Sequence, residues 1–488
     1  MLKLKIPRVM STQHPDNVRQ PFFVDNSIIA GDDEIKEAFY AFSHLKINEQ
    51  LWDCEGKEVD NYVVEKLLSK YEDYFRKKKL GQDLFVTLRG PNPRVEKSKG
   101  KLLLETLESI PRNSDIAREF YGEDIAPIFE VTIPMVSSAS EVLRVKEYYT
   151  KYVVEKQGKT VHDLKIGEWV GEFKPEEIKI IPLIEEKDSM LKADKIVEEY
   201  LQKAKEKDYQ RVWLARSDPA LNYGNMPAIL SNKIAFQKLH VLEEKSSVEL
   251  LPIIGCGSVP FRGNFRPDNV SDMQKAYPSV QTFTAQSAFK YDYPEEKVRE
   301  AVENIESTKR KAPVFIDEEM SIKIINKISA EYKMQLTEIA PLVNSIATFV
   351  PKRRKRKMHI GLFGYARENS GIKLPRAITF CASLYSLGLP PELFGMNTLD
   401  EKEWEFILEN TGIETDMQDA LQFFNEENLS LLPQKIADDY KKIAKRFEYI
   451  ANTSHKKITK FIVNDFKKNN QTLSENIERA ASIRNFLG

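Results

Sequence analysis

The sequence predicts an α/β chain folded as a TIM-like (β/α)8 barrel elaborated with many additional helices, and three observations carry that prediction. Short β-branched or apolar runs recur at residues 8–12, 84–88, 128–134, 178–184, 211–215, 248–254, 280–284 and 359–363. Their length and nearly continuous apolar character suit parallel strands covered on both faces. Helical patterns fill the stretches between them, and many of the runs end beside a polar residue able to do chemistry. Eight buried strands separated by helices is the strand count of such a barrel. The chain has 488 residues, so at roughly 150 residues per domain it could hold about three domains. The runs follow one barrel pattern, however, with no linker. A single domain over residues 1–488 is therefore expected, with its strands within about 8–365 and a helical C-terminal part at about 368–488.

The connecting elements follow in order. Val64, Leu67, Leu68, Tyr71, Tyr74 and Phe75 recur at helical spacing and stop before Gly81, so a helix is expected there. The intervals 12–84 and 284–359 exceed what one helix needs and should carry extra helices around the barrel. In the tail, Ile436, Tyr440, Ile443, Phe447 and Ile450 form an apolar stripe. It is expected to pack on the barrel or on another subunit.

Composition narrows the class. The 73 Lys and Arg against 74 Asp and Glu leave a formal charge of −1, which disfavours a dedicated nucleic-acid binder. The 41% hydrophobic content fits a globular chain. Cys54, Cys256 and Cys381 are too few and too scattered for a disulfide framework, and no Cys-x-x-Cys pair suggests a metal site. The N-terminus lacks a signal-peptide pattern, and no apolar stretch approaches the roughly 18 residues of a membrane span. A reducing cytoplasm is the expected location.

In a barrel, chemistry gathers at the C-terminal ends of the strands. Those positions hold His14, Arg89, Glu185, Asp218, the loop 255–262, Gln286 and Arg367. Glu185 and Asp218 end neighbouring runs and could share a hard cation such as Mg2+; capping a helix or pairing with an arginine is the competing role. His14 sits in a Pro15-Asp16 turn that presents the imidazole at a loop, which suits proton transfer. The loop 255–266 carries three glycines with Arg262 and Arg266, a composition that fits an anion. Cys256 has no nearby histidine in sequence and reads as structural. The six cations at 352–357 would suit a nucleic-acid-binding scaffold, but they lead into an apolar run and lack interleaved aromatics.

Taken together, these motifs resemble phosphoenolpyruvate carboxylase of the short archaeal-type branch. The resemblance is carried by Thr12-Gln-His-Pro-Asp-Asn17, Val131 through Leu143, Ile181-Pro-Leu-Ile-Glu185, Ser217-Asp218, Gly257-Ser258 with Arg262-Gly263, Arg376-Ala-Ile, Leu389 through Gly395, and Arg484-Asn485. It runs in order from residue 9 to the end. It implies irreversible carboxylation of phosphoenolpyruvate by bicarbonate to oxaloacetate and phosphate, through carboxyphosphate and an enolate, in a homotetramer built as a dimer of dimers. It further implies that Glu185 and Asp218 bind Mg2+, with Mn2+ as the alternative, and that His14 takes the carboxyphosphate proton. Arg262 would hold the bicarbonate unit, and Arg89, Gly257 and Ser258 would bind substrate. The longer enzymes of the family carry a histidine and an arginine where this chain has Gly255-Cys256-Gly257, and a lysine where it has Leu221. Lys290, Arg353, Arg354 and Arg367 are the cations that could replace them. The rival within the enzyme class is another Mg2+-dependent, enolate-forming barrel lyase.

Overall fold

The computed structural model describes residues 5–25, 28–56, 60–355, 373–468, 470 and 472–488. Its strands are β1 (Val9–Ser11), β2 (Glu49–Asp53), β3 (Phe85–Arg89), β4 (Glu130–Ile133), a short hairpin of β5 (Thr160–Val161) and β6 (Leu164–Lys165), β7 (Lys179–Ile184), β8 (Tyr209–Ala215), β9 (Glu249–Gly255) and β10 (Thr282–Ala285). Eight of them close a barrel in the order β1-β10-β9-β8-β7-β4-β3-β2. Each neighbouring pair is parallel; β8 and β9 run in register from Tyr209 opposite Glu249 to Ala215 opposite Gly255. All eight barrel strands lie between Val9 and Ala285, and β10 pairs directly with β1.

Seven of the expected runs are barrel strands, but the eighth strand differs from the expected one. The run 359–363 lies outside the described residues, and the barrel closes without it. The remaining strand is β2, Glu-Gln-Leu-Trp-Asp, inside the long interval after residue 12. It escapes an apolar-run criterion because its inward face is Glu49, Leu51 and Asp53. That interval also carries the helix Asp32–Ser43 and the helix Val63–Lys70, which breaks at Tyr71 rather than running on to Gly81.

Alternation along the strands divides the core in two. Met10, Leu51, Ile181, Leu183, Trp213, Ala215 and Ile253 form a small apolar plug inside the barrel. Their neighbours Val9, Trp52, Val131, Ile180, Val212 and Ile254 face outward into the large cluster shared with the surrounding helices. Below the plug lies a polar layer. The Arg211 guanidinium donates to Glu49 at 2.6 and 2.8 Å, to Glu130 at 2.7 Å and to Thr282 at 3.1 Å. Thr87 donates to Glu49 at 2.7 Å.

The later helices build a second core, led by the 30-residue helix Glu318–Ala347, whose N-terminus is capped by the Asp317 side chain. Glu401–Thr411 starts with a full capping box between Asp400 and Glu403. Ile436, Tyr440 and Ile443 of helix Gln434–Ala444 are buried in this core. The stripe therefore packs within its own chain. Ile450 lies past the end of that helix and is 90% exposed. Val259 and Phe261 of the glycine loop belong to the same core, so the helical part holds that loop from outside.

Candidate active site

The inward positions at the C-terminal strand ends continue the parity of the plug. Leu51 points inward, so Asp53 does too; Thr87 bonds Glu49 inside the barrel, so Arg89 shares its face; Leu183 leads to Glu185. Glu185 is buried and accepts the Met135 backbone N–H at 2.9 Å through Oε2. Burial, and then the negative charge of Asp218, hold its carboxyl well above the usual range, with Arg89 pulling down and Glu55 pushing up. Asp218 opens the helix Ser217–Tyr223 and is half-buried. Arg89 is joined to Glu55 at 2.5 Å. Two carboxylates forced together in a buried pocket favour a bound cation. No group of three or more His, Cys, Asp or Glu forms a metal cage among the described residues. A pair of carboxylates is the donor set that would suit a cation taking one or two carboxylates and filling its sphere with water and substrate oxygens, as Mg2+ does.

On β1's side, His14 is half-buried and its Nδ1 lies 2.8 Å from the Thr12 hydroxyl. The turn around it is braced by cations. Lys290 donates to the Thr12 carbonyl and to Glu37, the latter at 2.6 Å. Arg354 donates to the His14 carbonyl at 3.3 Å and to Glu37, with Glu34 at 3.4 Å. Burial alone would raise the Glu37 carboxyl, but Arg354 and Lys290 overcome it and bring it down to about 2. Arg353 donates to the carbonyls of Asn17 and Val18 at 3.0 and 3.2 Å and pairs with Glu478. Lys290, Arg353 and Arg354 thus brace the His14 turn through its backbone carbonyls and through Glu37. Arg367 lies outside the described residues.

The glycine loop is the third component. Arg262 is 1% exposed. It donates to Ser217 at 3.2 Å, to Gln286 at 2.6 Å and to the backbone oxygen of Gly488 at 2.6 Å, and Asp16 is 3.6 Å away. Gly257 leaves room for this packing, since a Cβ there would sit 2.7 Å from the Arg262 guanidinium carbon and displace it. Gly263 has φ +121°, and a Cβ on it would meet the Cys256 Cβ at 2.7 Å. Ser258 is buried in the same turn. Asn264 and Arg266 tie the loop to Asp419 at 2.8 Å each, and Asn264 also reaches Asp416. Burial pushes the Cys256 thiol up to about 12, which agrees with a structural role.

The structure therefore brings Glu185, Asp218 and Arg89 together on one side and Arg262, Ser217 and Gln286 on the other, with His14 at the end of β1. Sequence reasoning missed Glu55, which lies just past the strand it missed, and Asp16, whose carboxylate accepts the Ser287 hydroxyl at 2.5 Å. The contact of the Thr12 hydroxyl with His14 was also missed, although Thr12 opens the motif that carries the resemblance.

A family model described as phosphoenolpyruvate carboxylase matches residues 6–488. The chain is 48% identical to the phosphoenolpyruvate carboxylase of Methanospirillum hungatei, over 99% of this chain and 100% of that one. Its identity to the Methanothermobacter thermautotrophicus protein of the same name is 49%, with the same coverage. Against the Pyrococcus abyssi protein, also so named, it is 52% over 86% of this chain and 89% of the relative.

Proposed function

The chain belongs to the phosphoenolpyruvate carboxylase family, and from that premise we propose how its barrel mouth converts phosphoenolpyruvate and bicarbonate to oxaloacetate and phosphate. The observation that carries the reading is the buried Glu185 beside Asp218, facing Arg89 at the open end of a barrel whose plug seals the other side. Both reactants are anions, so the first demand on the site is to offset their repulsion. Arg89 serves the phosphate, with its guanidinium oriented by Glu55. Glu185 and Asp218 would hold Mg2+ or Mn2+, which when bound supplies Lewis-acid charge to the oxygen that turns negative as phosphorus is transferred.

A bicarbonate oxygen attacks phosphorus, and the bond between phosphorus and the enol oxygen breaks, giving carboxyphosphate and the enolate of pyruvate. Arg262, with Gly257 and Ser258 beneath it, holds the bicarbonate-derived group. His14 then takes the carboxyl proton, carboxyphosphate separates into CO2 and phosphate, and the enolate carbon attacks CO2. The glycine loop, clamped by the helical core through Val259 and Phe261, keeps water from protonating the enolate first. No helix among the described residues is long and apolar enough to cross a membrane, and we place the enzyme in the cytoplasm. A homotetramer built as a dimer of dimers rests on the family alone, since the apolar tail stripe is already covered; light scattering tests it.

The decisive experiment measures phosphate, pyruvate and oxaloacetate in parallel, with and without bicarbonate. In His14→Asn, bicarbonate-dependent phosphate release is retained, pyruvate replaces oxaloacetate, and oxaloacetate falls on the order of 10² to 10⁴-fold, the usual range for a positioned base. Equal loss of phosphate release and oxaloacetate overturns the role given to His14. Phosphate release in the parent that ignores bicarbonate overturns the carboxylase reading in favour of a different enolate-forming lyase.

A further inference from the structure

We infer that Thr12 is a positioning residue that fixes the tautomer of His14, placing the neutral ring's proton on Nδ1 and its lone pair on Nε2. The inference rests on the role proposed for His14 and deepens it, because a base must present a lone pair to the proton it removes.

Two contacts of one hydroxyl carry the argument. Thr12 Oγ1 is 3.2 Å from the Ala285 carbonyl oxygen and 2.8 Å from His14 Nδ1. A hydroxyl has one proton to donate and two lone pairs. The carbonyl can only accept, so the proton belongs to that contact, and the ring nitrogen must then be the donor. The opposite arrangement would turn a hydroxyl lone pair toward the carbonyl oxygen at 3.2 Å, two acceptors facing each other in a fully buried setting. Once Nδ1 donates, the neutral imidazole carries its basic lone pair on Nε2.

The fold does not need this hydroxyl. The Thr12 backbone N–H already donates to the same Ala285 carbonyl at 3.0 Å, and the Thr12 carbonyl accepts from Lys290. Replacing the hydroxyl by a methyl thus leaves Ala285 with a donor and the turn with its main-chain ties. What the substitution removes is the hydroxyl contact at His14 Nδ1. Thr12 sits at the junction of β1 and β10, so the strand that closes the barrel also sets the protonation geometry of the residue at its mouth.

The test compares Thr12→Val, Thr12→Ala and Thr12→Ser, with histidine rings labelled in 15N and the His14 signals identified by their loss in His14→Asn. In the parent, at a pH where the ring is neutral, Nδ1 is expected to show the protonated signature and Nε2 the unprotonated one. In Thr12→Val the populations move toward the opposite tautomer. The kcat for oxaloacetate falls about tenfold, the weight of one hydrogen bond, while the KM for phosphoenolpyruvate stays put. Thr12→Ser restores both signals and rate. Thr12→Ala is read in the same way should valine disturb the fold. A valine or alanine variant whose ring keeps the parent's Nδ1–H signature overturns the inference. A variant whose tautomer shifts while kcat is unchanged upholds the action of Thr12 on the ring and overturns instead the role of His14 as base.

Discussion

The two ends of the barrel handle buried charge in opposite ways. At the N-terminal end, Arg211 stands between Glu49 and Glu130, with every carboxylate contact between 2.6 and 2.8 Å, and burial does not leave either partner alone. At the C-terminal end, Glu185 and Asp218 are held against each other, and among the described residues the cation that most favours the charged Glu185 is Arg89, itself joined to Glu55. One end is electrostatically closed, so it contributes stability and register. The other is open, so it gains from whatever positive charge enters. The same strands supply both: β2 gives Glu49 below and Asp53 above, and β8 gives Arg211 below and leads into Asp218 above. A barrel strand thus divides its duties by height, and the unbalanced charge at the mouth is where we propose the chemistry.

The largest effect should come from the open end. Glu185→Ala or Asp218→Ala is expected to lower oxaloacetate formation on the order of 10³-fold and to abolish activation by Mg2+. The thermal midpoint should hold or rise, because the like-charge repulsion has been removed. Variants that keep the parent's metal dependence would break the contrast between the two ends.

The closed end should answer with stability instead. Arg211→Met leaves Glu49 and Glu130 buried without their cation and is expected to cost about 3–5 kcal/mol in denaturant unfolding. The kcat per folded molecule should be unchanged. Replacing all three groups by apolar residues of similar volume should recover much of the loss. If Arg211→Met instead lowers kcat and leaves stability intact, the lower layer is not structural.

A smaller effect concerns Asp292, whose carboxylate accepts the Val18 and Arg19 backbone N–H groups at 3.0–3.1 Å, behind the His14 turn. Burial pushes its carboxyl from 3.8 up to about 8; those two N–H donors pull down, while nearby Asp16 pushes up and Arg19 pulls down. Because the folded value is raised, the native state keeps a proton that the unfolded chain has already released. Stability is therefore full below the ordinary carboxylate range and declines as pH rises toward about 8. Asp292→Asn should remove about 1–2 kcal/mol of that decline, seen as a flatter plot of unfolding free energy between pH 5 and 8. An unchanged slope would place the titration elsewhere.

The barrel, and which residues lie at its mouth, could mostly be read from the chain alone. A parallel strand covered on both faces must be apolar almost throughout, so seven strands stand out as runs, and the residue where each run ends is the residue the fold delivers to the mouth. The placement of His14, Arg89, Glu185 and Asp218 near strand ends was legible for that reason, and that of Arg262 through its glycine loop. Which charges are already partnered emerges only when the chain folds. Lys290 meets Glu37 across 253 residues and Arg211 meets Glu49 across 162. Such pairings leave no periodicity in the chain, because they depend on which strands become neighbours when the barrel closes. The same closure hid β2, whose inward face is charged at both ends to serve both layers, and it set the Thr12 hydroxyl between a carbonyl of β10 and the ring of His14. Local sequence reports burial; the partner of a buried polar group is fixed only when distant strands meet.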